Sequence, residues 1–305
     1  LFPLLADLEF EHAKARSSWA RGVVRISGVL AFWRAFGVTA ASDSAHHLWT
    51  NAWGATQDET RTTRALVARV GATSSIFTLV LILNQWSFLG RFSASLWPPL
   101  VASLIPCIAM VAIPIGVLFG FALGGERGWK SHARGPASIA VLATLVTFSV
   151  GAWLTPEVNQ RHRELVWRIL VGPLTTPLSK GDREMSLDEL ALRAAELRSS
   201  GQGKEAGRFE LEWHKKFALG ASCLTLALAG AAITLILRER FWRFLAAVAV
   251  LNACYLLLRI GEQASDLGRL APALAMWGPF LLIAAVSLAV LATSRRSIVV
   301  AASNR

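Results

Sequence analysis

Residues 99–123 read PLVASLIPCIAMVAIPIGVLFGFAL, 25 positions without a charged side chain. At about 1.5 Å of rise per residue, a helix of that length crosses the roughly 30 Å hydrocarbon core of a bilayer. Pro106 and Pro114 remove backbone donors inside it and predict a bend. Gly116, Gly120 and Gly124 recur every fourth residue and leave one face bare enough for a second helix to approach closely. They are the candidate helix-packing residues. A second uncharged run, residues 136–154, follows a short basic turn, residues 125–135. Two apolar runs joined in this way predict a membrane hairpin, and the rest of the chain reads as built around it.

Composition points the same way. Of 305 residues 54% are hydrophobic and only 17% charged, where a soluble domain carries about 25% charge. Mean hydropathy is +0.47. The net charge of +11 could suggest a nucleic-acid partner, but the basic residues flank apolar runs. That placement fits the Lys/Arg excess of cytoplasmic loops, so no nucleic-acid partner is expected. Cys107, Cys223 and Cys254 all fall within apolar runs and read as small packing residues, with no disulfide framework and no metal or cofactor site. The chain opens at Leu1 rather than Met, which leaves room for residues upstream; no cleavable signal peptide is evident.

Six spans follow from the hydropathy pattern: residues 72–89, 99–123, 136–154, 217–237, 244–258 and 274–291. Trp97, Trp153, Trp213, Trp242 and Trp277 lie near span ends, where amphipathic rings favour the headgroup level. The turn with Arg127, Lys130 and Arg134 shares a side with Arg238, Arg240, Arg243 and the tail Arg295 and Arg296. The opposite short loops carry Arg91, and Arg259 and Arg269 offset by Glu262 and Asp266. The positive-inside bias therefore predicts both termini in the cytoplasm.

Ahead of the spans, Trp19, Val23, Ile26, Leu30 and Trp33 step along one face of an amphipathic helix over residues 11–36. An interfacial helix explains this stripe. The alternative, a span over residues 22–41, would set Arg34 deep in lipid at about 2.5–3.5 kcal/mol or more. Residues 42–69 read as a polar connector. The predicted organisation is thus an all-α integral membrane protein: an N-terminal segment with an interfacial helix (1–70), spans one to three (71–154), a short helical insertion (155–216), spans four to six (217–293) and a tail (294–305).

The insertion holds 11 basic and 10 acidic residues. In it Ser186 and Glu189 form a capping box, with Met185 and Leu190 as the hydrophobic staple. Leu187, Leu190, Ala194 and Leu197 share a face, Glu189 and Arg193 are spaced to pair, and Gly201 suits the stop. No alternation of strand type occurs there. Asn84, Gln85 and Asn252 fall within spans, where polar side chains usually bond across helices. Arg259 and Glu262 are spaced to pair with each other, and Lys215 and Lys216 to snorkel toward headgroups. The sequence holds no Gly-rich phosphate loop, no His-Glu-x-x-His and no Gly-x-Ser-x-Gly, so it does not read as an enzyme.

Three stretches together resemble the LptF/LptG permease family of bacterial lipopolysaccharide exporters. They are Ile113 to Gly120 with the exit Trp153 to Gln160, then Met185 to Ser200 with Phe209 to Phe217, and Tyr255 to Pro279 with Gly261, Gly268, Pro272 and Trp277. The likeness covers roughly residues 72–293. It implies the membrane half of an ABC-type exporter in the inner (cytoplasmic) membrane. Such a half is non-catalytic, pairs with a second permease subunit and draws power from a separate cytoplasmic ATPase. The cargo would be a membrane lipid or lipopolysaccharide-like molecule, with the first and fifth helices forming lateral gates. The ATPase-docking helix of the family maps onto the turn with Glu126, Arg127, Trp129, Lys130 and Arg134. The family's lipid-phosphate contact falls nearest Arg91. Two departures stand out: the family's periplasmic β-jellyroll between spans three and four has no room here, and Gly128, Lys130 and His132 replace an apolar docking face. A structural subunit that reuses the permease fold to brace a larger assembly is the alternative reading.

Overall fold

Inside a bilayer, backbone amides must find their partners within the chain, and this protein meets the requirement with helices. The computed structural model describes residues 57–85, 89–90, 92, 96–124, 134–172 and 178–303, with backbone alone at 57–61, 134 and 295–303. The chain divides into residues 1–61 and 62–305. Only the opening turn of one helix is described in the first unit; the interfacial helix read over residues 11–36 lies outside the described residues.

In order the elements are α1 (Gln57–Asn84), α2 (Trp97–Ala122), α3 (Arg134–Ser149), a π turn (Val150–Leu154), α4 (Thr155–Leu170), a 3₁₀ turn (Asp182–Glu184), α5 (Leu187–Ser199), α6 (Gly203–Ile236), α7 (Arg240–Asp266) and α8 (Pro272–Ser303). Among the described residues there is no strand. Six helical rods among the described residues are long and apolar enough to cross a membrane: α1, α2, the continuous α3–π–α4 rod, α6, α7 and α8. The described residues therefore form an all-α membrane architecture with six helices of spanning length. Two ends result: the hairpin-loop end, where residues 125–133 leave α2, and the insertion end, where α5 sits.

Three boundaries differ from those read in the sequence, each for a packing reason. α1 begins at Gln57, inside the stretch read as a polar connector. Its early turns are held because Leu66, 5% exposed, packs with Val117 and Phe121 of α2 and Ala140 of α3. The third rod does not stop at Leu154 but runs on to Leu170. Pro156 cannot donate to the Ala152 carbonyl, and its ring would press on that carbonyl in a regular helix. The wider π turn takes up this conflict: Thr155 bonds back to the Val150 carbonyl, five residues away, through its N–H and also through its hydroxyl at 2.9 Å. The fourth rod likewise begins early, at Gly203. Much of the 155–216 insertion is thus the outward continuation of two spans.

The extension of α4 is zipped to α2. His162 Nδ1 lies 2.7 Å from Ser103 Oγ, the Cys107 thiol donates to Asn159 Oδ1 at 2.8 Å, and the Thr155 hydroxyl points at Met110 Sδ at 3.1 Å. Cys107 thus bonds across two helices as well as filling space.

α6 is the centre of the bundle. It contributes to all three apolar clusters: Leu226, Ala229 and Ile233 against α2 and α7; Cys223 and Ala227 against α1, α2 and α3; Leu211 and Ala218 against α7 and α8. Small residues let its neighbours come close. A Cβ on Gly220 would lie 2.9 Å from Phe148 Cβ of α3, and one on Gly230 only 2.7 Å from the Leu118 carbonyl oxygen of α2. Gly261 of α7 serves α8 in the same way, 2.5 Å from the Ala275 carbonyl oxygen.

Candidate functional site

At the hairpin-loop end, three helix termini meet around Arg243. This side chain, placed by the sequence among exposed loop cations, sits on the first turn of α7 and is only 5% exposed. A guanidinium out of water must be bonded. Its Nε donates to the Leu237 carbonyl at 2.7 Å and its Nη1 to the Gly124 carbonyl at 3.1 Å. These carbonyls lie just past the ends of α6 and α2, where helix carbonyls lack partners and the dipoles turn negative, so a cation is favoured there. Beside it the Thr234 hydroxyl, fully buried, lies 2.9 Å from the Phe121 carbonyl and 3.1 Å from that of Ala122. The corner from which residues 125–133 depart is therefore fixed on three helices. Glu126, Arg127, Trp129 and Lys130 themselves lie outside the described residues, as does Arg91; Arg134 is the first helical residue of α3.

In the middle of the bundle the glycine row meets α1. A Cβ on Gly116 would fall 1.9 Å from Ser74 Oγ and 2.8 Å from the Ser74 backbone nitrogen; on Gly120 it would fall 2.6 Å from Val70 Cγ2. Gly124 is different, since its nearest neighbours beyond its own helix are more distant and its carbonyl serves Arg243. Phe119 of α2 stands between Phe77 of α1 (ring centroids 5.2 Å) and Phe244 of α7 (5.5 Å). The first and fifth spans thus flank one aromatic ring of the second. Both carry exposed apolar side chains, among them Leu79 and Leu83 on α1 and Tyr255 and Ile260 on α7. Asn252 does not bond across helices as expected. It is exposed on α7 and its amide donates to Val248 of its own helix at 2.8 Å, because this face points away from the bundle.

At the insertion end charge is gathered into a web. Arg259 bonds Glu262 at 2.6 Å, as its spacing implies. The same Glu262 also takes Lys215 of α6 at 2.6 Å, and Lys215 reaches Glu212 at 3.3 Å. Lys216 is 5% exposed and donates to the Met185 carbonyl at 2.5 Å. Neither lysine snorkels to headgroups: α6 continues past them to Gly203, which turns them toward α7 and the insertion. Arg208 pairs with Asp182 at 2.8 Å, and Arg163 of α4 with Glu184 at 2.9 Å. Ser186 and Glu189 form the capping box, the Glu189 amide 3.2 Å from Ser186 Oγ and the Ser186 amide 2.8 Å from Glu189 Oε2. Glu189 also takes Lys180 at 2.5 Å, so Arg193 pairs with Glu196 instead, at 2.6 Å. The bond from Lys180, then that from the Ser186 amide, hold the Glu189 carboxyl below the usual carboxylate range. Leu190, Ala194 and Leu197 bury the other face of α5, and Gly201, at φ +81°, ends it. A cavity of about 600 Å³ opens between the 3₁₀ turn, α6 and the end of α7.

Sequence reasoning missed both the web and the corner. The alternating charges at 204–216 and 259–266 were the available signal, but which of them meet depends on how α6 and α7 pack. Among the described residues no three His, Cys, Asp or Glu side chains group as metal ligands would.

The described residues form a multi-span membrane bundle of six apolar rods, with their ion pairs gathered at the insertion end. Residues 174–293, most of the insertion and the last three spans, match the family model of the lipopolysaccharide export system permease LptF/LptG. No curated protein matches the chain.

Proposed function

We propose that the chain is a non-catalytic permease subunit of lipopolysaccharide-export type that works without a jellyroll. It pairs with a second permease subunit and is driven by a separate cytoplasmic ATPase. The family match over residues 174–293, joined to a six-span bundle, carries this reading. In it the hairpin-loop end faces the cytoplasm, as the positive-inside bias predicts. Glu126, Arg127, Trp129, Lys130 and Arg134 then receive the ATPase, and the fixed corner at Arg243 gives the loop a firm root. The lipid enters between α1 and α7 in the plane of the membrane, and Arg91, on the connection from α1 to α2, meets its phosphate.

A scaffold role is the second reading. The observation that favours it is the helical insertion: α5 is sealed onto α6, and the described residues offer no β-bridge to carry a lipid onward. Purification of the native complex separates the two. Under the transport reading an ATP-binding subunit copurifies, ATP releases bound lipid, and replacing Trp129 and Lys130 by Ala removes the ATPase. An assembly that survives the double replacement and ignores ATP establishes the scaffold.

A further inference from the structure

The cavity at the insertion end has a wall unlike that of a site for a plain anion. Acidic and basic side chains line it in equal number. Part of its lining is occupied by pairs already made, Lys215 with Glu262 and Glu212, and Arg208 with Asp182. Around them stand Arg183, Lys204, Glu205 and Asp266, all exposed and, among the described residues, in no side-chain ion pair. Lys204 and Lys215 are eleven residues apart on α6, so the cleft rises about 16 Å along that helix. Its Lys215 end adjoins the apolar runs of the fourth and fifth spans, residues 217–237 and 244–258.

A binding surface with no net charge gives no advantage to a ligand of one sign, and a polyphosphorylated head would meet as many carboxylates as cations. A group that carries an ammonium and a phosphate together can satisfy both sets of unpaired side chains, each through charge-assisted hydrogen bonds. We infer that this cavity is a binding site for a zwitterionic head group bearing a primary ammonium and a phosphate, presented by a lipid of the adjoining leaflet. This rests on reading the chain as a lipid permease, and it names the head-group chemistry handled on the insertion side.

The test uses the full chain in nanodiscs of phosphatidylcholine doped with phosphatidylethanolamine or phosphatidylglycerol, with lipid retention read by native mass spectrometry. Phosphatidylethanolamine is expected to be retained over both others: phosphatidylcholine has the same charges but no ammonium N–H donor, and phosphatidylglycerol lacks the cation. Soluble phosphoethanolamine should compete for the site, and free inorganic phosphate should not. Lys204→Ala with Asp266→Asn should weaken the preference about tenfold, the worth of one charge-assisted bond. Both side chains are exposed and unpaired, so the fold does not depend on them. Equal or better retention of phosphatidylglycerol, or a preference untouched by the double substitution, overturns the site. Retention is read without nucleotide, so a complex that binds phosphatidylethanolamine but ignores ATP removes the transport reading and leaves the site standing.

Discussion

Arg243 shows how much can turn on a single side chain. In the sequence it is one of several basic residues between two apolar runs; in the fold it holds the carbonyls just past the ends of two helices. Leucine in its place keeps the volume and removes every donor. Each carbonyl left without a donor costs about 1–3 kcal/mol. Arg243→Leu is therefore expected to lower the thermal midpoint of the detergent-solubilised protein clearly. Arg243→Lys, which can reach one carbonyl but not fork to two, should fall between. Equal midpoints for all three proteins would show that the corner does not depend on this residue. Lys215 and Lys216 teach a related lesson: neighbours in sequence, they serve different partners, one on α7 and one on the insertion.

Among the elements α6 is decisive, because a helix surrounded by others can admit them only through small side chains. On α6 Gly230 is the tightest case, facing backbone atoms of α2 that cannot swing aside. Gly230→Ala should cost about 1–3 kcal/mol through overpacking. Gly71 is the control: it lies on α1 with nothing within 4 Å of its absent Cβ, and alanine there should add up to about 1 kcal/mol of helix stability. Thermal unfolding of the two variants side by side checks the contrast. If both move in the same direction, the close approach of α2 and α6 is not what Gly230 provides. The row of small residues from Ala218 to Ala232 was visible beforehand, yet the sequence drew attention to the glycines of α2 instead. Both rows make close contacts; only the one on α6 lies at the centre.

At the scale of the bundle, one continuous rod, α3–π–α4, runs from the hairpin-loop end to the insertion end and so ties them to opposite sides of the membrane. In oriented vesicles a cysteine placed at Glu205, on the exposed rim of the insertion, should react with a membrane-impermeant maleimide from outside. One at Arg238, exposed between α6 and α7, should react only after permeabilisation. Labelling in the reverse order would invert the orientation taken from the basic loops. It would also move the proposed ATPase contact to the insertion side.

The sequence by itself determined the class of fold, the six membrane-length helices of the described residues and the cap of α5, because uncharged runs of bilayer length and a local capping pattern are properties of contiguous residues. It also placed the Arg259–Glu262 pair, three residues apart on one helix. Only the tertiary structure decided that α6 is central, that α4 and α6 carry their spans on into the insertion, that Arg243 turns inward and that Lys215 joins α6 to α7. These depend on which helix faces meet. A hydropathy pattern fixes how long a helix is, whereas the depth and direction of its charged residues follow from the neighbours against which it is packed.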